Sequence, residues 1–297
     1  MTINGVEIQD TYAEAFGMTG ARCIVTAANE RWAKIAGEMA SGYATSVISC
    51  DAEAGIESVL TSEETPDNRP GVSLLFFAFN AKSLESAVTN RIGQCIMTCP
   101  TTACYDGLPG SENTIAAGSA LRYFGDGFQF SKLLAERRYW RVPVMDGEFT
   151  CEESVGTTKG VAGGNFLILG KTQDAALSAA EHAIEAMNDV RGVIMPFPGG
   201  IVRSGSKVGS RYKKLVASTN EAYCPTLRGL VESELPEGVN AVYEIVIDGL
   251  TLEAVEEAMR VGIHAACVEG VVRISAGNYG GKLGKHLIQL KEVMRNT

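Results

Sequence analysis

What the chain lacks narrows its function first. No apolar run approaches the roughly 20 residues a membrane-spanning helix needs; Val72 to Phe79 is the longest type present. The N-terminus shows no basic stretch followed by an apolar one, so export is not expected and the cytoplasm is the expected location. There is no lysine-arginine tract, and the net charge is −9, which argues against nucleic acid or a membrane surface as partner. Only three histidines occur, His182, His264 and His286, and none lies in a pattern pairing a nucleophile with its base. The eight cysteines are scattered through apolar segments and read as reduced core thiols rather than a disulfide framework. Cys95, Cys99 and Cys104 lack the usual two-residue gap and a companion histidine, so no metal site is expected.

What is present is a carboxylate in an unusual place. Ala241 to Leu250, Ala-Val-Tyr-Glu-Ile-Val-Ile-Asp-Gly-Leu, has the composition and period of a β-strand. Tyr243, Ile245 and Ile247 then share one face, and Val242, Glu244 and Val246 the other. Glu244 is thus flanked by valines. Burial disfavours its charged form and raises its pKa, leaving an acid able to donate a hydrogen bond to a developing oxyanion. Pairing with a buried arginine, or a solvent-facing sheet surface, explains the same pattern without any catalytic role.

The rest of the chain repeats one unit four times. The first unit is a strand at Ala21 to Ala27, a helix from Glu30 to Ala40 with Trp32, Ile35, Ala36 and Met39 on one stripe, and a strand at Thr45 to Cys50. The second runs from Val72 to Phe79, through a helix carrying Leu84, Ala87, Val88 and Ile92, to a strand near Gln94 to Thr98. The third joins Asn165 to Leu169, a helix over Thr172 to Met187, and Gly192 to Met195. The fourth begins with the Glu244 strand, continues through a helix marked by Leu252, Val255, Met259 and Ile263 to Val271 to Ser275, and is followed by a further strand at His286 to Leu290. Two consecutive βαβ units make the ferredoxin-like βαββαβ arrangement, so the expected fold is α+β: two ferredoxin-like α/β-sandwich lobes with antiparallel sheets and insertions. The glycine-rich break at residues 146 to 160 places the lobes at 1–150 and 151–297, the second carrying Glu244. Thr101 to Met145 and Pro196 to Asn240 are the insertions. A doubly wound parallel sheet fits less well, because no strand-to-helix turn carries a dinucleotide fingerprint.

Two glycine-rich loops follow predicted strands. Gly199-Gly200 leads into Ser204-Gly205-Ser206-Lys207, and its echo is Asn278-Tyr279-Gly280-Gly281-Lys282. The first approaches a P-loop, but Ser206 stands where glycine must precede lysine, so nucleotide triphosphate hydrolysis is rejected. Anion- or amide-binding loops and simple tight turns both remain open. Glu53 and Glu57 read as a solvated helix start or, less readily, as ligand-binding carboxylates. Tyr123 to Phe128 reads as an aromatic loop packed on the core, with ring stacking as its alternative.

Longer motifs carry a family resemblance: Ile3-Asn4-Gly5-Val6-Glu7, Ala13-Glu14-Ala15-Phe16, Ala52-Glu53-Ala54-Gly55-Ile56-Glu57, Arg91-Ile92-Gly93-Gln94-Cys95, Gly160-Val161-Ala162-Gly163-Gly164-Asn165-Phe166, Pro196-Phe197-Pro198-Gly199-Gly200-Ile201-Val202, Val242-Tyr243-Glu244-Ile245-Val246-Ile247, and Ile274-Ser275-Ala276-Gly277-Asn278-Tyr279-Gly280-Gly281-Lys282-Leu283-Gly284. In this order, over nearly the whole chain, they resemble formylmethanofuran:tetrahydromethanopterin formyltransferases. The resemblance implies reversible formyl transfer between formylmethanofuran, or a methylofuran analogue, and N5 of tetrahydromethanopterin or its dephospho form. It implies coenzymes that act as substrates, with no bound cofactor and no metal. Partners would be further copies in a dimer or tetramer, or hydrolase subunits in a heteromeric complex. The family's key carboxylate matches Glu244, and substrate contacts are expected from Gly199, Gly200, Ser206, Lys207, Asn278, Tyr279, Gly280, Gly281 and Lys282. Against the family pattern, Asn68 replaces a glycine. A non-catalytic coenzyme-binding or scaffold subunit, and an acyl transferase using a folate-like pterin, are the competing readings.

Overall fold

Helix starts are written in the sequence as side chains that accept backbone hydrogen bonds. In the computed structural model, which describes residues 1–295, the helices Glu30–Ser41, Ala81–Arg91, Gln173–Met187 and Leu252–Ala266 are capped by Asn29, Asn80, Thr172 and Thr251. Each cap accepts a backbone N–H three residues on, satisfying a donor that the helix cannot, for about 1 kcal/mol. The faces turned inward are built from small residues. In the first helix they are Ala33, Ala36, Gly37 and Ala40, not the expected stripe through Met39, which is 63% exposed. A Cβ at Gly37 would come within 3.0 Å of Ile56 and 3.1 Å of Val72, so the small face lets this helix lie close on its sheet.

Contacts divide the chain into two units, Met18–Gly160 and Met1–Gly17 with Val161–Thr297. The expected first lobe, 1–150, includes residues 1–17. Here they group with residues 161 onward, because Val6–Ile8 runs parallel beside Val271–Ser275 and His286–Gln289 pairs antiparallel with Tyr12 to Ala15. Asn296 and Thr297, the end of the expected second lobe, lie outside the described residues.

Within Met18–Gly160, residues 19–26 lie between Gly71–Ala78 and Ala103–Asp106, antiparallel to both, and Glu53–Leu60 flanks Gly71–Ala78 on its far side. This is the order a βαββαβ chain gives when each helix crosses over one intervening strand. Gly147–Glu152 then adds in parallel to Ala103–Asp106, and Arg137–Val144 and Phe130–Leu134 extend the sheet antiparallel.

Two expected strands are displaced in this unit. Thr45 to Cys50 forms turns rather than a strand; the strand is Glu53–Leu60, whose register is broken between Ile56 and Ser58. That irregularity, together with the acidic Glu53 and Glu57, hides its alternation. Gln94 to Thr98 lies mostly in a π-helical turn, Ile92–Ile96, that prolongs the preceding helix, and the strand follows at Ala103–Asp106. Asn68 adopts φ 55°, a left-handed conformation that asparagine tolerates better than most residues.

The other unit repeats the order. Residues 161–170 lie between Ala241–Gly249 and Val271–Ser275, antiparallel to both, with Val193–Ile194 beyond Ala241–Gly249. Phe166, Ile168, Ile245 and Ile247, all 0% exposed, meet Ala176, Ala180, Val255 and Met259 of the two helices in one core. Each such large side chain removed from water contributes about 1.5–3 kcal/mol. The opposite face of this sheet has another cover: Tyr223, Leu235 and Val239, from the 196–240 insertion, pack on Leu167, Leu169 and Val242. None of the described helices is long and apolar enough to cross a membrane.

Candidate active site

Glu244 lies on the face covered by that insertion. Its backbone pairs with Leu167, and Leu167 in turn with Ser275. On its other side Val202 bridges it, with Val202 N–H donating to the Glu244 carbonyl at 2.7 Å and Glu244 N–H to the Val202 carbonyl at 3.0 Å. Val202, Glu244, Leu167 and Ser275 therefore form one row across the sheet. No side-chain hydrogen bond or ion pair is present for the Glu244 carboxyl group among the described residues. The residue keeps partial exposure, yet burial raises its carboxyl from 4.5 to about 7. It is a recessed acid that water still reaches, rather than part of a sealed core, and neither ordinary explanation, an arginine partner or an open sheet surface, describes it.

The loop after Val271–Ser275 forms one wall of the recess. Asn165, two residues before Leu167 and on the same face as Glu244, accepts from Gly277 N–H at 2.6 Å and donates its amide to the carbonyls of Gly277 at 3.1 Å and Gly163 at 3.0 Å. A Cβ built on Gly277 would stand 3.7 Å from Glu244 Oε1, which shows how close the loop backbone runs. Tyr279 packs at 6.1 Å, centroid to centroid, against Phe16. Burial first, then the charges of Glu244 and Glu14, push its phenol up, with the Ser206 hydroxyl within hydrogen-bonding reach and opposing that shift.

The structure thus brings Glu244, Ser206, Tyr279 and the Gly277 backbone together. Gly199 and Gly200 lie just ahead of the Val202 bridge; at φ 78°, with a would-be Cβ 2.3 Å from Ile184, Gly200 admits no side chain. Gly280 and Gly281 continue the loop, and Asn278 donates to Thr11 Oγ1 and the Tyr12 carbonyl, both at 3.3 Å. Lys207 is engaged elsewhere, in an ion pair with Glu221, and Lys282 is exposed.

Sequence reasoning passed over Glu14, Asn165 and Tyr223. Glu14 had a visible signal, a carboxylate between apolar neighbours in a strand-like stretch, the same signal that marked Glu244. Other expectations are corrected. Glu53 and Glu57 sit on a strand and are buried, with Glu57 paired to Arg22 and accepting from Ser73 Oγ at 2.6 Å, not at a solvated helix start. Tyr123, Phe124 and Phe128 are exposed rather than packed on the core. Cys95 and Cys99 are half-buried beside the π-helical turn, while Cys104 is buried next to Cys151 on the neighbouring strand.

Comparison with known proteins finds matches over nearly the whole chain. Residues 1–144 match the family described as formylmethanofuran-tetrahydromethanopterin formyltransferase, and residues 147–293 match the one described as FTR, proximal lobe. A formylmethanofuran–tetrahydromethanopterin formyltransferase of Methylobacillus flagellatus is 57% identical over 99% of this chain and 100% of its own. The solved formylmethanofuran:tetrahydromethanopterin formyltransferase of Methanosarcina barkeri superposes with a TM-score of 0.95 at 51% identity, covering 99% of this chain and 100% of that one. A chain of the formyltransferase/hydrolase complex of Methylorubrum extorquens, solved with methylofuran, gives 0.96 at 51% identity, over 99% and 98%. With half or more of its residues shared across the full length of such proteins, this chain belongs to the formylmethanofuran–tetrahydromethanopterin formyltransferase family.

Proposed function

We propose that this chain moves a formyl group reversibly between formylmethanofuran, or a methylofuran analogue, and N5 of tetrahydromethanopterin or its dephospho form, with Glu244 as the acid that stabilises the oxyanion. The observation that carries the reading is the Glu244 carboxyl itself, recessed, without a partner among the described residues and raised to about 7. The reaction needs no nucleophilic side chain. The N5 lone pair attacks the formyl carbon, the carbonyl electrons move onto oxygen, and the tetrahedral intermediate carries one negative oxygen. A neutral Glu244 donates its O–H to that oxygen. Collapse expels the furan coenzyme's amine, which gains a proton as N5 loses one, so the transfer balances without redox change.

Glu244 suits this task because a carboxylic acid in a poorly solvated recess stays protonated near neutrality and is already oriented when charge develops. A coenzyme lying over the recess removes its remaining water and favours the neutral acid further. Ser206, Tyr279 and the glycines at 199–200 and 280–281 line the approaches, offering backbone and hydroxyl donors to the polar parts of the two coenzymes. Both coenzymes enter as substrates. The chain works as part of a homo-oligomer or beside hydrolase subunits, in the cytoplasm.

The test is formyl transfer by the purified chain alone, from formylmethanofuran to tetrahydromethanopterin, followed by the ultraviolet absorbance of the formylated pterin, with tetrahydrofolate as a parallel acceptor. Turnover with the methanopterin supports a self-sufficient formyltransferase. Folded protein that binds both coenzymes without turnover overturns the reading in favour of a coenzyme-binding subunit, and preference for tetrahydrofolate reassigns the acceptor.

A further inference from the structure

The loop that walls the Glu244 recess is folded around a second carboxylate. Glu14 is 1% exposed. Its Oε2 accepts from the backbone N–H groups of Tyr279 at 2.7 Å and Gly281 at 2.8 Å, and its Oε1 from Leu283 and Gly284, both at 2.6 Å. No cation among the described residues pairs with it. Burial by itself raises the carboxyl, but the four N–H donors together outweigh that and hold it below the usual carboxylate range. Gly280 and Gly281, at φ 72° and 70°, turn the loop back so that successive N–H groups converge, which is how backbone nests hold anions. At Gly284 a Cβ would fall 2.5 Å from the Ala15 carbonyl and 2.7 Å from Glu14 Cγ. The nest that sequence reading offered to a substrate anion is filled from within.

The same loop is tied down at its start by Asn165, through Gly277. Between the two ties stands Tyr279, whose N–H is held by Glu14 while its side chain meets Phe16 and feels both carboxyls. We propose that Glu14 is a positioning residue for the Glu244 site: its carboxylate fixes the Gly277–Gly284 loop, and through Tyr279 and Gly277 it determines how much water reaches Glu244. The kinetic side of this inference rests on the proposed role of Glu244; the effect on loop and recess does not.

Glu14→Gln keeps the size of the side chain but turns an N–H donor towards two of the four N–H groups. In the full-length chain three quantities are compared with wild type: amide exchange at Tyr279, Gly281, Leu283 and Gly284, the Glu244 titration midpoint from carbon-13-labelled glutamate, and the formyl-transfer kinetics. Exchange at the four amides is expected to quicken by at least about tenfold and the Glu244 midpoint to drop by about one pH unit as water enters. The rate constant kcat is expected to fall by about a hundredfold as the wall shifts. Unchanged exchange together with an unmoved midpoint overturns the proposal. If exchange and midpoint move while wild type transfers no formyl group, the formyltransferase reading fails and the role of Glu14 stands. Should Glu14→Gln not fold, Gly281→Val strains the nest from the loop side with Glu14 intact, and the absence of the same changes there overturns the proposal.

Discussion

Glu14 and Glu244 occupy strands of the same unit, each between apolar neighbours, and they end up with opposite chemistry. Glu14 receives four backbone N–H donors and is held as an anion. Glu244 receives none from the described residues and is pushed towards the neutral acid. Burial is common to both, so burial alone does not decide protonation. What decides it is whether dipoles converge on the carboxyl group before any substrate arrives. Glu57, in the other unit, gives a third solution, an arginine and a serine on a buried carboxylate. Glu14 and Glu57 have their partners built in, whereas in the proposed mechanism the carboxyl of Glu244 is completed by the substrate.

The contrast is most directly broken by taking away the group at Glu244. Glu244→Ala is expected to lose on the order of 10²–10³ in kcat, while Glu244→Gln, which keeps an N–H donor in the recess, loses less. Equal, wild-type-like rates for both would remove Glu244 from the mechanism. Next in size is the pH profile. In the proposed mechanism the protonated form is the active one, so kcat/KM should be flat below about 7 and fall about tenfold per pH unit above it. In Glu244→Gln that descent should vanish, and its persistence would assign the titration to another group.

Stability sharpens the comparison further. The Glu244 carboxyl titrates near 7 in the folded chain and near 4.5 when unfolded, so between those values the folded state retains a proton that the unfolded state has lost. The resulting stabilisation is complete below 4.5 and disappears as pH rises through 7. Glu244→Gln escapes that loss. Allowing for the partial exposure of the group, it should be more stable than wild type at pH 8 by on the order of 2 kcal/mol, with the gain gone by about pH 4. Denaturant melts at the two pH values measure this, and a constant difference between them would contradict a raised Glu244. The smallest effect is expected at Lys207, whose charge is already engaged by Glu221. Lys207→Met should leave kcat near wild type, and a large rise in KM would show that the lysine leaves its partner for a coenzyme.

Much of this arrangement was legible locally. The Ala241–Gly249 strand is legible through period-two alternation, and the helices through their apolar stripes, because both signals lie within a few residues of one another. The Glu53–Leu60 strand was not legible, since its irregular register and the partners that neutralise Glu57 come from other strands. The expected Gln94 to Thr98 strand is not formed because Cys95 and Ile96, β-like by composition, are fitted against the core by a π-helical turn instead. Glu14 was the hardest of all. Its pattern equals that of Glu244, and only donors lying 265 to 270 residues away show that its charge is satisfied.

One further consequence belongs to the 196–240 segment that covers the Glu244 face. It contains only short strands and single 3₁₀ turns, yet its Tyr223, Leu235 and Val239 pack over Leu167, the cross-strand neighbour of Glu244. In electrical language the segment is an insulator laid over the row of the sheet that carries Glu244. On the proposed role of Glu244, trimming Leu235 or Tyr223 is expected to bring solvent nearer the acid and lower its midpoint while every group at the recess itself is kept.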